Sequence, residues 1–287
     1  MIVEEIRKER PKDISRACRV LKTSRSSMAY LSVKDDSGLI ALLTGYARDH
    51  ADGGFWMYHG RIRNEGLNIN HKRTYRVYKA LGLSKRRKVK KRLPARVKEP
   101  LEQPSHFTHT WSIDFMSDAL VNGRKFRTLN VIDDFNREVL YIEHDYSIKS
   151  SRVVWVLRHL MNRYGKPEKI RMDNGPEFIA ELAKSWSESE GIKFHYIEPG
   201  KPTQNAYIER FNRSYRAGVL DAYLFETLEQ VREQTEIWVK DYNYKRPHDS
   251  LGGLPPVAYR EKHNNTGLPV LRSASATPSL HSAQAGH

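Results

Sequence analysis

The sequence predicts an α/β (α+β) fold, in which a mixed five-stranded sheet with flanking helices follows an all-α helix-turn-helix region. Three observations carry that expectation. Of the formal charge of +15 on 287 residues, all lies in the first third: residues 1–100 hold 25 Lys and Arg against 10 Asp and Glu, and the remainder is neutral. A basic stretch from Lys85 to Pro104, interrupted by Pro94, Pro100 and Pro104, reads as an extended linker between the two parts. Beyond Thr108, short β-rich runs alternate with amphipathic segments, the texture of a sheet covered by helices.

In the basic part, Ile14, Ala17, Cys18 and Leu21 recur at helical spacing. Lys22 and Thr23 can turn, and Ser24 can cap a second helix carrying Arg25, Ser26, Ser27 and Met28. A stronger unit follows the turn at Gly66 to Ile69, where Asn70 is an N-cap for HKRTYRVYKALG and Gly82 its terminator. There Lys72, Arg76 and Lys79 lie on one face, with Thr74, Val77, Tyr78 and Leu81 opposite, so one side suits phosphates and the other a core. An ordinary amphipathic surface helix would give the same periodicity, but not the adjoining KRRKVKKR run from Lys85 to Arg92. Lys72, Arg73, Arg76 and Lys79, with Lys85, Arg86, Arg87, Lys88, Lys90, Lys91 and Arg92, are therefore the expected contacts to a polyanion, nucleic acid foremost.

In the neutral part, THTWSIDFM, FRTLNVIDDF and REVLYIEHDY read as three strands, the last two joined by a turn at Asp134 to Arg137. A helix over SSRVVWVLRHLMNRYG, capped by Ser150 or Ser151 and closed by Gly165, leads to a strand at KIRMDN. A helix around IAELAKSWSESEG, a strand at IKFHYIE and a long helix starting near Thr203 complete the order β-β-β-α-β-α-β-α. Asp114 then falls inside the first strand and Asp173 at the end of the fourth, neighbours if those strands are parallel, while Glu209 comes from the long helix. Hard carboxylate oxygens converging in this way suit Mg²⁺ and phosphodiester chemistry. Each residue alone also has a plain explanation: a strand-edge charge, an Asx turn with Asn174 and Gly175, or a solvated helix position. Asp133 and Asp134 are most economically turn residues, and Glu177 is an additional ligand candidate.

Composition narrows the class further. Cys18 is the only cysteine, which excludes a disulfide framework or a Cys-based zinc site and fits a reducing compartment. The longest apolar runs, such as Leu39 to Leu43, fall short of the about 18 residues that span a bilayer, and Met1 is followed by Glu4, Glu5 and Arg7 rather than a hydrophobic signal. A protein of the cytoplasm with no membrane partner is expected.

Taken together, WSIDFM, MDNGPEF and PGKPTQNAYIERFNRSYR, with 35 residues between Asp173 and Glu209, closely resemble the DDE catalytic core of retroviral-type integrases and bacterial insertion-sequence transposases. The segment from Tyr242 to Tyr259, YNYKRPHDSLGGLPPVAY, is most similar to second-frame (orfB-type) transposases of the insertion-sequence-three family. The resemblance spans roughly Leu39 to Tyr259. It implies an RNase H-like fold, two Mg²⁺ (or Mn²⁺) ions held by Asp114, Asp173 and Glu209, and end cleavage followed by strand transfer on double-stranded DNA. It further implies DNA contacts from Arg216 and from Gln204 and Asn205, for which plain N-terminal capping is an equal alternative, and helical spacing adds Arg213, which shares the face of Glu209 and Arg216. Action as a homo-oligomer is expected, with an upstream-frame protein or frameshift fusion as a further partner, since residues 1–30 show no heptads. The organisation expected is a basic helix-turn-helix region at 1–84, a linker at 85–104, a catalytic core at 105–263 and a disordered tail at 264–287. A catalytically inactive DNA-binding regulator and an RNase H-like nuclease are the competing readings. Retroviral integrases carry a His and Cys zinc module that this chain lacks the cysteines to build.

Overall fold

The computed structural model describes residues 9–22, 24, 26, 35–85, 104–175, 178, 180–198 and 205–264. Most of the expected helix after Ser24, Arg86, Arg87, Lys88, Lys90, Lys91 and Arg92 of the basic run, Glu177, Gln204, and the tail beyond Asn264 lie outside these residues.

After a 3-10 turn at Pro11–Asp13, helix α1 (Ile14–Val20) buries Cys18 and ends at Lys22, whose φ is 49°. Three further helices, α2 (Ser37–Asp49), α3 (Phe55–Asn64) and α4 (His71–Ala80), close around Leu39, Leu43, Tyr58, Ile62, Val77 and Tyr78. The caps of α4 follow the sequence. Asn70 Oδ1 accepts from the Lys72 amide at 2.9 Å, and Gly82, at φ 68°, adopts the left-handed turn that a side chain would resist.

The five strands are β1 (Thr110–Ala119), β2 (Lys125–Asp133), β3 (Val139–Asp145), β4 (Lys169–Met172) and β5 (Lys193–Tyr196), in the order β3-β2-β1-β4-β5. The first three form an antiparallel meander, and β4 and β5 add in parallel, giving the mixed five-stranded sheet that the pattern predicts. Helices α5 (Ser150–Tyr164) and α6 (Glu181–Glu190) cover one face. There Trp111, Ile113, Leu129 and Val131 of the sheet meet Val153, Val156, Leu157 and Leu160 of α5 and Trp186 of α6. The other face is covered by α7 (Ala206–Tyr215), which continues as a π-helical turn at Arg216–Leu220, and by α8 (Leu228–Tyr244), with α9 (Pro256–Asn264) following. Met116, Phe126 and Ile132 alternate onto this side against Ile208, Phe211, Tyr215 and Val231.

Two local expectations change. Lys149 rather than Ser150 or Ser151 precedes α5, without a side-chain cap, because the apolar stripe of the helix fixes its start. The long helix is cut to Ala206–Tyr215 by its π-turn, and α8, opened by a capping box of Thr227 and Gln230, is a separate element. The N-terminal helices pack on the core through α8. Buried Arg61 forms a bidentate pair with Asp241 (Nη1 to Oδ1 2.8 Å), Asn64 donates to the Gly253 carbonyl at 3.1 Å, and Arg246 pairs with Asp52 at 3.2 Å.

Candidate active site

Strand pairing sets the first two carboxylates. β1 and β4 run parallel with Ser112 opposite Arg171, and continuing that register by two residues sets Asp114 and Asp173 side by side at one end of the sheet. Adjacent strands lie about 4.8 Å apart, so two such carboxylates on one face must feel each other. Asp114 points to the face covered by α7, the face shared by Met116, and Glu209 is in the first turns of that helix.

The electrostatics register this convergence. The Asp114 carboxyl is pushed up to about 6, first by burial, then by the charge of Asp173, with Glu209 adding to it. Two donors oppose the shift: the Phe115 amide at 2.9 Å on Oδ1, and Asn212 Nδ2 at 2.7 Å on Oδ2. Asn212 is itself held by Asn130, which is paired with Asp114 across β1 and β2 and donates to Asn212 Oδ1 at 2.7 Å. Asp173 begins a turn in which its Oδ1 accepts from the Gly175 amide at 3.0 Å, as an Asx turn requires. Among the described residues, no three His, Cys, Asp or Glu side chains are drawn up as a closed metal cage. The donor set nonetheless fits a hard cation: it is all oxygen, concentrated at one end of the central β1–β4 pair, and electrostatically costly to leave fully ionised without positive charge.

The basic candidates separate into engaged and open groups. On α4, Arg73 and Arg76 both pair with Asp36, at 2.8 and 2.6 Å, and together hold that carboxyl below its usual range. Lys72 and Lys79 stand exposed on the same helix, and Lys85 is exposed at the end of the described segment. On α7, Arg213 is exposed, whereas Arg216 is tied to the end of β1 through Asp118 at 3.1 Å and the Ser117 carbonyl at 3.0 Å. Asn205 precedes α7 but makes no side-chain cap; it is 3% exposed and its Oδ1 has no hydrogen-bond partner among the described residues. Asp133 is a turn residue, accepting from the Thr108 and Phe135 amides at 2.7 and 2.8 Å, and Asp134 forms a buried pair with Arg171 at 2.7 Å. Asn130 and Asn212 were not singled out from the sequence. Asn212 is three residues after Glu209, so helical spacing alone places it on the carboxylate face.

Comparison with known proteins completes the description. Residues 104–202 and 190–256 each match an integrase core domain family. The uncharacterized 31.7 kDa protein of insertion element IS407 from Burkholderia multivorans is 38% identical over 253 residues, covering 88% of this chain and 91% of the relative. An uncharacterized protein of insertion element IS476 from Xanthomonas euvesicatoria is 37% identical, covering 88% of this chain and 75% of the relative. The putative transposase InsK of insertion sequence element IS150 from Escherichia coli is 26% identical, covering 72% of this chain and 76% of its own length. Among solved structures, a simian T-cell lymphotropic virus intasome chain shares the fold at TM-score 0.50 and 17% identity, covering 74% of this chain and 73% of that one.

Sheet order, covering helices and domain matches define an RNase H-like catalytic core of the integrase class, a nucleotidyl-transferase type of enzyme. The chain belongs to the insertion-sequence transposases that carry this retroviral integrase-like core.

Proposed function

We propose that the chain binds the terminal inverted repeats of a bacterial mobile element and catalyses divalent-metal-dependent DNA strand cleavage and strand transfer. The observation that carries the reading is the parallel register of β1 and β4, which sets Asp114 beside Asp173 on the face covered by the Glu209 helix; the raised Asp114 carboxyl accords with it. Asp114, Asp173 and Glu209 would hold Mg²⁺ or Mn²⁺, two ions per site, and bound metal supplies Lewis acidity for hydrolysis and transesterification of phosphodiesters.

The chain's own residues do the rest. Asn212, braced by Asn130, fixes the Asp114 carboxylate in one orientation. Arg213, on the α7 face that carries Glu209, would grip the DNA backbone beside the carboxylates, and Arg216, at the start of the π-turn, would join it on exchanging Asp118 for phosphate. Gln204, just before that helix in sequence, would meet the DNA nearby, whereas Asn205, buried at 3% exposure, is not a DNA contact in this arrangement. Lys72, Arg73, Arg76 and Lys79 of α4, with Lys85 and the basic run to Arg92, would bind phosphates further along the duplex. For Arg73 and Arg76 this requires exchange of Asp36 for phosphate. Joining two element ends in one event calls for a homo-oligomer, with an upstream-frame protein as a further partner, working on the nucleoid in the bacterial cytoplasm.

The test is Glu209→Gln assayed on element-end duplexes with Mg²⁺. DNA binding should stay within about twofold of wild type, with nicking and joining falling by at least ~10³-fold. A variant that still nicks removes the assignment, and a wild-type chain that binds ends but never nicks them makes it a regulator instead.

A further inference from the structure

A cavity of about 230 Å³ opens between α3, the β2–β3 turn, α7 and the segment after α8. On α7 it is lined by Tyr207, Arg210 and Ser214, at i, i+3 and i+7, while Glu209, Asn212 and Arg216 occupy the opposite side of the helix. It is therefore separate from the carboxylate site. Three guanidinium groups line it, from Arg137, Arg210 and Arg246.

Arg246 is matched by Asp52 at 3.2 Å, and Asp249 stands on the rim, but among the described residues no carboxylate pairs with Arg137 or Arg210. Arg137 is held in a left-handed conformation, φ 63°, with its guanidinium 3.4 Å from the centre of the Tyr207 ring; its buried Nη1 has no hydrogen-bond partner. His248 Nε2 is likewise buried and unpartnered. Buried donors are rarely left unsatisfied, and here Arg137 Nη1 lies in one cavity with the exposed Arg210, which pairs with no carboxylate among the described residues. Burial first, and then the three arginines, keep the His248 imidazole down at about 3. At the rim, the Trp56 indole is 65% exposed.

We propose that this cavity is a second DNA site, taking the phosphodiester of a single unpaired nucleotide whose base stacks on Trp56. It is too small to admit a duplex. A phosphate oxygen would supply the acceptor that Arg137 Nη1 lacks, and an open indole beside the guanidiniums suits any base. The inference rests on the reading that the chain works on DNA, but not on its catalysis.

The experiment compares the full chain with Arg210→Gln and Trp56→Ala, both exposed positions, by fluorescence anisotropy across a salt series without divalent metal. The probes are a blunt duplex and the same duplex with a short single-stranded tail carrying a fluorescent adenine analogue. Arg210→Gln should weaken binding of the tailed duplex about 10-fold and lower its salt slope by about one. Trp56→Ala should abolish quenching of the analogue while leaving blunt-duplex affinity unchanged. Tailed binding that is wild-type in both variants overturns the site, as does equal weakening on blunt and tailed DNA. Nicking is scored in parallel with Mg²⁺. Normal nicking with Arg210-independent binding removes only this cavity's role, and Arg210-dependent tail binding without nicking removes only the catalytic reading.

Discussion

At the scale of single residues, Asp114 is where burial and charge oppose each other. Its folded-state acidity lies near 6, above the ordinary carboxylate value, so its contribution to stability is present at low pH and is lost as pH rises through 6. Added Mg²⁺ should reverse that loss. At pH 8, Mg²⁺ should raise the Tm of wild type in a thermal melt and leave that of Asp114→Asn unchanged; a shift in both would move the metal elsewhere. Asn212→Ala removes the donor on Asp114 Oδ2 and strands Asn130, so metal-dependent nicking should fall about 10–100-fold while end binding persists. His248 behaves in the opposite sense. Its imidazole is held at about 3, by burial first and then by Arg246, Arg210 and Arg137, with a hydrogen bond to the Tyr242 backbone opposing them. Below pH 6.5 the unfolded chain takes up a proton that the folded chain declines, so stability falls as pH drops from 6.5 toward 3. His248→Gln should flatten that part of the pH–stability curve by up to about 1.4 kcal/mol per pH unit, measured by denaturant titration.

Among the elements, α7 does the most. Its π-helical continuation brings Gly218 against the Trp238 indole of α8, where an added Cβ would lie 2.4 Å from Nε1 and 3.1 Å from the ring. Gly218→Ala should therefore cost about 2 kcal/mol and lower Tm, because the ring is wedged among Phe211, Tyr215 and Tyr242 and cannot retreat. Elements bounded by strong local signals were legible in the sequence. Alternation in β1, the β-rich runs of β2 and β3, Asn70 and Gly82 at the ends of α4, and Gly165 and Gly191 after α5 and α6 all coincide with observed boundaries. Asp114 and Asp173 were legible as neighbours because parallel pairing of β1 with β4 leaves them no other place. What escaped depends on tertiary structure. The Asn130 to Asn212 to Asp114 chain joins residues that only sheet register and α7 packing bring together, and the neutralisation of Arg73 and Arg76 by Asp36 requires α2 to dock on α4. The division between α7 and α8 is not legible as a helix break, because helical periodicity continues past Tyr215 into the π-turn and only the Thr227 and Gln230 capping box marks the new start.

The molecule as a whole is a three-layer catalytic core with a helical module docked on its α8 side. Arg61, 3% exposed and bidentate to Asp241, is the main polar link, so Arg61→Ala leaves a partly buried carboxylate without its partner. That substitution should cost about 3–5 kcal/mol and expose α3 to limited proteolysis before the sheet opens; an unchanged digestion pattern would show that apolar packing alone holds the module. The balance of charge follows the same division, with the cationic excess in the first third of the chain and the carboxylate cluster at one end of the central β1–β4 pair. The account stands on those carboxylates sharing a cation, and anomalous diffraction from crystals soaked in Mn²⁺ tests this most directly. The expected result is manganese within about 2.1 Å of oxygens from Asp114, Asp173 and Glu209 together; manganese bound elsewhere with that trio left empty would contradict it.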